Sequence, residues 1–300
     1  MCEWSSLNLN PILMYTNGYI DDGLQYCMIR LGFIGNGFVG SAGRQLECPK
    51  NSAIVYDIDP EKCVPLGTTL EQVAQSDLVF VSVPTPAEAD GSCHLRIVDS
   101  VVHQLKKTRA DCPIILRSTV PPGTSKRLGV SFMPEFLTEA NHLDDFRQNP
   151  VWVYGGTSAE RIQLALTNAK EAGKIVSDKV VHMTTQEAEL VKYVRNCFLA
   201  TKVSFFNEVE QYCRALQLDY DTIRDCAASD TRIGLSHTKV PGPDGRRGFG
   251  GHCFPKDMAA WCHFAPGDHS VIRAAHERNL LVDRPERDWQ KDKGRAVVDV

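Results

Sequence analysis

The stretch of this chain best equipped for chemistry is Gly248-Phe249-Gly250-Gly251-His252-Cys253-Phe254-Pro255-Lys256-Asp257. A thiol behind a run of glycines has unusual backbone freedom and close access to a ligand. Lys256 and Asp257 supply a cation and a base within reach, and a nearby cation favours the thiolate, which is the nucleophilic form. The same residues also suit a buried structural cysteine beside a surface Lys-Asp pair, and their types alone do not choose. A second such stretch is Gly35-Asn36-Gly37-Phe38-Val39-Gly40, a GxGxxG run behind an apolar segment. There the first glycine permits a tight turn, the second lets backbone approach a pyrophosphate, and the third lets helix pack on strand. The opening helix offers free N–H groups and its positive dipole end to phosphate. Asp57, seventeen residues after Gly40, ends the next apolar run and is placed to accept from adenosine ribose hydroxyls. It would repel a 2′-phosphate, which favours NAD over NADP, while Lys62 softens that preference. Val83-Pro84-Thr85-Pro86 and the stretch Ser118-Thr119 to Thr124 follow two further apolar runs, where open α/β sheets place their ligands. Taken singly, each is also an ordinary proline turn.

The elements that must position these groups are legible in outline. MIRLGFIG, SAIVYDID, DLVFVSVP, CPIILRST and VWVYGG are short apolar runs of the kind that form buried parallel strands. Helical segments (VGSAGRQLE, LEQVAQS, LRIVDSVVHQLKK) alternate with them, which predicts a Rossmann-type, doubly wound parallel α/β sheet. From Thr184 the pattern changes. A segment without Pro or Gly runs to Leu218, with Ala188, Val191, Val194, Phe198 and Val203 at helical spacing, and predicts one helix of about 30 residues. Four units are expected: an extension over 1–27 that the fold does not need, with Met28 as a natural start; a dinucleotide-binding domain over 28–183; a mostly helical domain over 184–290; and a charged tail over 291–300 that frays. A net charge of −4 gives no reason to expect nucleic acid or a membrane surface. No apolar run has the roughly 18 residues a membrane span needs. Eleven scattered cysteines with no CxxC pair argue against a disulfide framework or a metal site and for a reduced, cytoplasmic protein.

Six stretches, in order, resemble the UDP-glucose/GDP-mannose dehydrogenase family, and within it the UDP-glucose 6-dehydrogenases: GFIGNGFVG, VFVSVPTP, STVPPGT, MPEFLTEA, AELVKYVRNCFLATKVSFFNE and FGGHCFPKD. The resemblance covers roughly residues 28 to 290. It implies four-electron oxidation of a nucleotide sugar, UDP-glucose to UDP-glucuronate for polysaccharide biosynthesis, with two successive NAD molecules and a cysteine-bound thiohemiacetal and thioester. Position by position, it implies Cys253 as nucleophile, and Asp257 as base through a water or as a support for Lys192. Lys192 and Asn196, one helical turn apart, would both point at one oxyanion. Glu135 would serve hydrolysis, and Thr119 would lie near the reacting carbon. The cofactor set is Gly35, Asn36, Gly37, Phe38, Val39, Gly40, Asp57, Lys62, Val83, Pro84, Thr85, Ser118, Thr119 and Glu139, the last near the nicotinamide. The sugar set is Glu135, Phe136, Leu137, Lys192, Asn196, Gly248, Phe249, Gly250 and Lys256, with Arg232 reaching the site of a neighbouring subunit in a homodimer built on the long helix.

The chain also departs from that pattern. Family members carry a third, C-terminal nucleotide-binding domain, and no second glycine fingerprint follows Asp257. A separate chain supplying that domain is one expected partner. His252 matches the N-acetylhexosamine branch, whereas Pro255-Lys256-Asp257 matches the glucose and mannose branches. Two other functions fit the same residues. One is a two-electron hydroxyacid-type dehydrogenase, for which a covalent cysteine has no use. The other is a degenerate dinucleotide-binding protein, which the retained Cys253, Lys192, Asn196, Glu135 and Asp257 speak against.

Overall fold

A computed structural model describes residues 28–299, so the extension expected over residues 1–27 lies outside the described residues. The sheet has seven strands in the order β2-β1-β3-β4-β5-β6-β7: β1 (Ile29–Ile34), β2 (Asn51–Tyr56), β3 (Leu78–Val81), β4 (Ile114–Leu116), β5 (Ser131–Phe132), β6 (Trp152–Gly155) and β7 (Val180–Met183). All pairings are parallel except β5 with β6. This is the Rossmann-type sheet predicted from the alternating runs. The two strands not anticipated, β5 and β7, are short or half exposed, so neither carries the continuous apolar signal of a central strand.

The central strands β3 and β4 are apolar throughout because both faces are covered. Along β3, Leu78 and Phe80 enter one core cluster with Leu31, Phe33 and Tyr154, while Val79 and Val81 enter the opposite cluster with Val102, Leu105 and Leu116. The covering helices are α1 (Phe38–Gly43), α2 (Leu70–Ala74), α3 (Arg96–Thr108), α4 (Thr124–Leu128), α5 (His142–Arg147) and α6 (Ala159–Glu171). The helix expected from VGSAGRQLE is shorter than its sequence and tightens into a 3-10 turn at Arg44–Leu46.

The long helix, α7 (Thr185–Ala215), runs 31 residues. It starts where Thr184 and Glu187 form a reciprocal capping box, and it ends as Gln217 turns to a positive φ. Its inward face carries Glu189, Lys192, Asn196, Ala200, Ser204 and Asn207. Val194 and Phe198, which contributed to the helical periodicity, lie on the outer side, at 50% and 64% exposure. Helices α8 (Tyr220–Ala228), α9 (Phe254–Phe264) and α10 (Ser270–Arg278) follow, and Cys197, Ala200, Phe249, Met258 and Ala275 make a small core where α7, α9 and α10 meet.

The tail does not fray. Trp289 and Ala296 are buried, the Ala87 N–H donates to the Ala296 carbonyl at 2.9 Å, and the Val298 N–H returns to Ala87 at 3.1 Å. Charges within it have partners: Asp292 lies 3.0 Å from the His252 ring and Lys293 lies 3.6 Å from Asp299, while just before the tail Asp288 takes the Arg284 guanidinium at 2.6 and 2.8 Å. Composition alone suggested solvation, but one large aromatic and a pair of backbone hydrogen bonds outweigh it.

Candidate active site

The fingerprint has the geometry of a dinucleotide cradle. Gly35 adopts φ +89°, and a Cβ there would lie 2.5 Å from the Ser82 carbonyl oxygen. A Cβ on Gly40 would lie 1.9 Å from the Gly35 oxygen, so helix and strand meet backbone to backbone. Gly37, the N-cap of α1, has nothing within 4 Å of its Cβ position, which leaves open space where a pyrophosphate would approach. Asp57 accepts the Asn36 N–H at 2.6 Å, the Asn36 amide reaches the Lys62 carbonyl at 2.8 Å, and the Lys62 ammonium pairs with Asp59 at 3.1 Å. The carboxylate at the end of β2 is thus held against the glycine turn, where ribose hydroxyls would meet it. Phe38 and Val39 open α1 directly after this turn.

The two proline loops are tied together at the strand ends. The Ser118 hydroxyl donates to the Val83 carbonyl at 2.7 Å, which fixes the loop containing Pro84 and buried Thr85. The Thr119 carbonyl accepts from the Cys93 thiol at 3.6 Å. Burial pushes that thiol up to about 11, against the pull of the Lys256 ammonium. Glu189 of α7 is fully buried and accepts the Gly123 and Ser125 N–H groups at 2.5 and 2.7 Å, so the long helix pins the loop that carries Thr119. Burial raises the Glu189 carboxyl despite these bonds.

Around the cysteine, α7 and α9 bring the expected groups together. Cys253 is exposed and forms the N-cap of α9. One turn on, Asp257 is 1% exposed, taking the Asn196 amide at 2.6 Å on one oxygen and the Lys256 ammonium at 2.5 Å on the other. Lys192 is buried and donates to the Glu135 carbonyl at 2.5 Å. Its ammonium lies 5.8 Å from the centre of the Phe136 ring, which also carries Arg195 at 3.7 Å. Burial lowers the Lys192 ammonium, and its electrostatic interactions with the neighbouring Cys253 and Asp257 oppose that shift. Burial acts on Lys256 too, but there Asp257, Cys253 and Cys93 outweigh it and hold the ammonium above its ordinary value. A cavity of about 480 Å³ between Glu88, Ala259, Arg287 and Trp289 reaches Lys256, but Cys253, Lys192 and Asn196 do not line it.

Other expected residues sit differently. The Glu135 carboxylate turns away from the lysine into an ion pair with buried Arg117. Burial takes that guanidinium down to about 9. Glu135 therefore meets Lys192 through its backbone, and Leu137 packs against the sheet core. Glu139 contacts His252. Arg232 is exposed and folds back on Asp230 at 2.5 Å, on a turn after α8.

Several residues that shape the site were not anticipated. Asn279 is wholly buried, accepting the Phe249 N–H and donating to the Phe249 carbonyl, both at 2.9 Å. Asn207 accepts the Gly248 N–H at 3.0 Å, and Arg284, paired with Asp288 and Asp244, packs against Gly250. A signal existed for the α7 members of this set. Glu189, Lys192, Asn196, Ser204 and Asn207 recur at spacings of three, four, eight and three, which places polar groups along one helix face. Nothing local marks Asn279 or Arg284. Among the described residues no group of three or more His, Cys, Asp or Glu could hold a metal ion, and no helix is long and apolar enough to cross a membrane.

Residues 66–171 match the NAD binding domain of the UDP-glucose/GDP-mannose dehydrogenase family, and residues 186–280 match its central domain. The chain is 31% identical to the UDP-glucose 6-dehydrogenase of Rickettsia typhi over 84% of its own length and 67% of the relative's. The chain belongs to this family. The UDP-glucose 6-dehydrogenase of Pseudomonas aeruginosa is 31% identical over 84% of this chain and 65% of its own length. A solved UDP-glucose dehydrogenase from Pyrobaculum islandicum superposes with a TM-score of 0.73 at 27% identity, covering 87% of this chain and 70% of that one. The chain spans about half to two thirds of the length of the relatives it matches. NAD is accordingly the dinucleotide of the sheet domain. The glycine fingerprint lies upstream of the matched span.

Proposed function

We propose that this chain oxidises the primary alcohol of a nucleotide sugar to a carboxylate, with UDP-glucose to UDP-glucuronate the foremost case. The observation that carries this reading is the meeting of Cys253, Lys192, Asn196 and Asp257 at the junction of α7 and α9. A two-electron alcohol oxidation needs no nucleophile beside its lysine.

NAD bound along the fingerprint supplies the hydride acceptor, once for each oxidation. In the first step Lys192, whose ammonium is lowered by burial, holds the substrate hydroxyl oxygen and takes part in moving its proton. The carbon becomes an aldehyde. Cys253 Sγ then adds to that carbon, its thiolate pair forming the C–S bond, and the new oxyanion is met by Lys192 and the second amide hydrogen of Asn196. With both carboxylate oxygens engaged, Asp257 acts here by orienting Asn196 and Lys256. Loss of a second hydride from the thiohemiacetal leaves a thioester. Water adds to it, the C–S bond breaks, and the thiolate and carboxylate are released. Glu135 can assist that water only by leaving Arg117, so its hydrolytic role requires a side-chain swing. The retained outer stripe of α7, with Val194, Phe198, Phe205 and Tyr212 all at least half exposed, supports a homodimer formed along this helix.

The test is the yield of NADH from purified protein with UDP-glucose, comparing wild type with Cys253→Ser over full progress curves. The expected result is two NADH per sugar from wild type and at most one from the variant. NAD binding without any NADH formed from UDP-glucose, GDP-mannose or their N-acetylated counterparts would overturn the reading.

A further inference from the structure

The chemistry above uses Cys253 and gives no work to the residue before it. Yet His252 has carboxylates at both ring nitrogens. Its Nδ1 contacts Glu139 Oε1, and its Nε2 lies 3.0 Å from Asp292 Oδ2. The side chain is only 16% exposed, although the loop around it is open. The two contacts differ in kind: Nδ1 is hydrogen-bonded to Glu139, whereas Nε2 approaches Asp292 at ion-pair distance without hydrogen-bond geometry.

The three partners come from segments far apart in the chain. Glu139 belongs to the loop after β5 on the sheet side. His252 belongs to the loop that carries the thiol. Asp292 belongs to the C-terminal segment, which is bonded at Ala296 and Val298 to Ala87 on the loop after β3. The same segment places the Arg295 guanidinium 5.2 Å from the centre of the Phe38 ring, inside the glycine fingerprint. One imidazole thus joins the thiol loop to a segment that touches the dinucleotide cradle and to a loop of the sheet domain.

We propose that His252 is a positioning residue: it clamps the Glu139 loop and the C-terminal segment onto the cysteine loop, and so sets Cys253 relative to the cofactor cradle. The functional half of this inference rests on Cys253 being the nucleophile; the clamp does not. Small displacements matter here, because a misplacement of about 1 Å can cost on the order of a hundredfold in rate.

Two readouts that need no turnover test it, on the full chain with His252→Ala, Asp292→Asn, the double variant and His252→Gln. The first is the rate of tryptic cleavage after Lys291, Lys293 and Arg295. Each single variant should be cut about tenfold faster than wild type, and the double no faster than His252→Ala, because both remove one contact. His252→Gln, which keeps a donor, should fall between. The second is alkylation of Cys253 by iodoacetamide with and without NAD, followed on its own peptide. NAD should change the wild-type rate severalfold, and the rate in His252→Ala by less than twofold. Cleavage at the wild-type rate in every variant overturns the clamp. A full NAD effect on Cys253 in variants with a released tail overturns the positioning role. A wild type that oxidises no sugar defeats the proposed function instead, while these two readouts still decide the clamp.

Discussion

The two glycine-rich loops of this molecule resemble each other in sequence and are built in opposite ways. Around residues 35–40 the obstacles to a side chain are backbone atoms: the Ser82 carbonyl beside Gly35 and the Gly35 carbonyl beside Gly40. Around 248–251 they are side chains: the Asn279 amide oxygen 2.3 Å from a Cβ on Gly248, and the Arg284 guanidinium 2.5 Å from one on Gly250. The first loop is shaped by how a strand meets its helix, where Gly35 and Gly40 close on each other, and by the backbone at the end of the neighbouring strand. The second is shaped by amides and a guanidinium from α7 and from the chain after α10. Backbone cannot yield without moving the sheet, whereas a side chain can rotate, so the two loops should respond differently to the same insult.

The sharpest way to break this contrast is Gly40→Ala. A methyl 1.9 Å from a carbonyl oxygen has no room unless α1 separates from β1. The expected outcome is loss of NAD binding together with a large fall in thermal midpoint, checked by calorimetry and NAD titration. Wild-type behaviour would remove the basis of the comparison. Next comes Asn279→Ala, which leaves the buried N–H and carbonyl of Phe249 without partners, at about 1–3 kcal/mol each. Urea unfolding should show the loss, and sugar oxidation should fall while NAD binding holds. Smaller again is Gly250→Ala. Arg284 can swing aside at the expense of its pairing with Asp288, so about 1–3 kcal/mol is expected. If its cost equals that of Gly40→Ala, the second loop is as rigid as the first.

The smallest effect is acid loosening of the second loop. The Asp288 carboxyl is lowered chiefly by its hydrogen bond to Arg284. A carboxyl lowered in the folded state contributes stability that is fully present above its unfolded value and is lost as pH falls through the folded value. Wild type should therefore exceed Asp288→Asn in unfolding free energy from urea titration at pH 6, by on the order of 1 kcal/mol, and the gap should shrink toward pH 3. A gap that widens in acid would contradict the sign.

Much of this was legible in advance because it rests on short-range rules. The fingerprint, Asp57, the parallel strands and α7 follow from glycine spacing, apolar runs and a helical period without Pro or Gly, all written within a few residues of where they act. Cys253, Lys192, Asn196 and Asp257 could be named from a family pattern, and a polar stripe on one helix face agreed with it. Other features depended on what arrives from elsewhere. A carboxylate chooses its partner by the nearest compensating charge, so Glu135 went to Arg117, which lies on a different strand end. Buried backbone needs donors and acceptors from whichever element is close, so Asn279 and Arg284 became structural parts of the cysteine loop. A highly charged tail docked because Trp289 and Ala87 found it, and its Asp292 met His252.

Sequence by itself thus determined the kind of sheet and the cofactor class, since these follow from residue type and local spacing, and a family resemblance named the candidate reactive groups. Only the tertiary structure decided which charge faces which, what holds the thiol loop and where the chain's end lies, because those depend on distances between segments that local sequence does not encode.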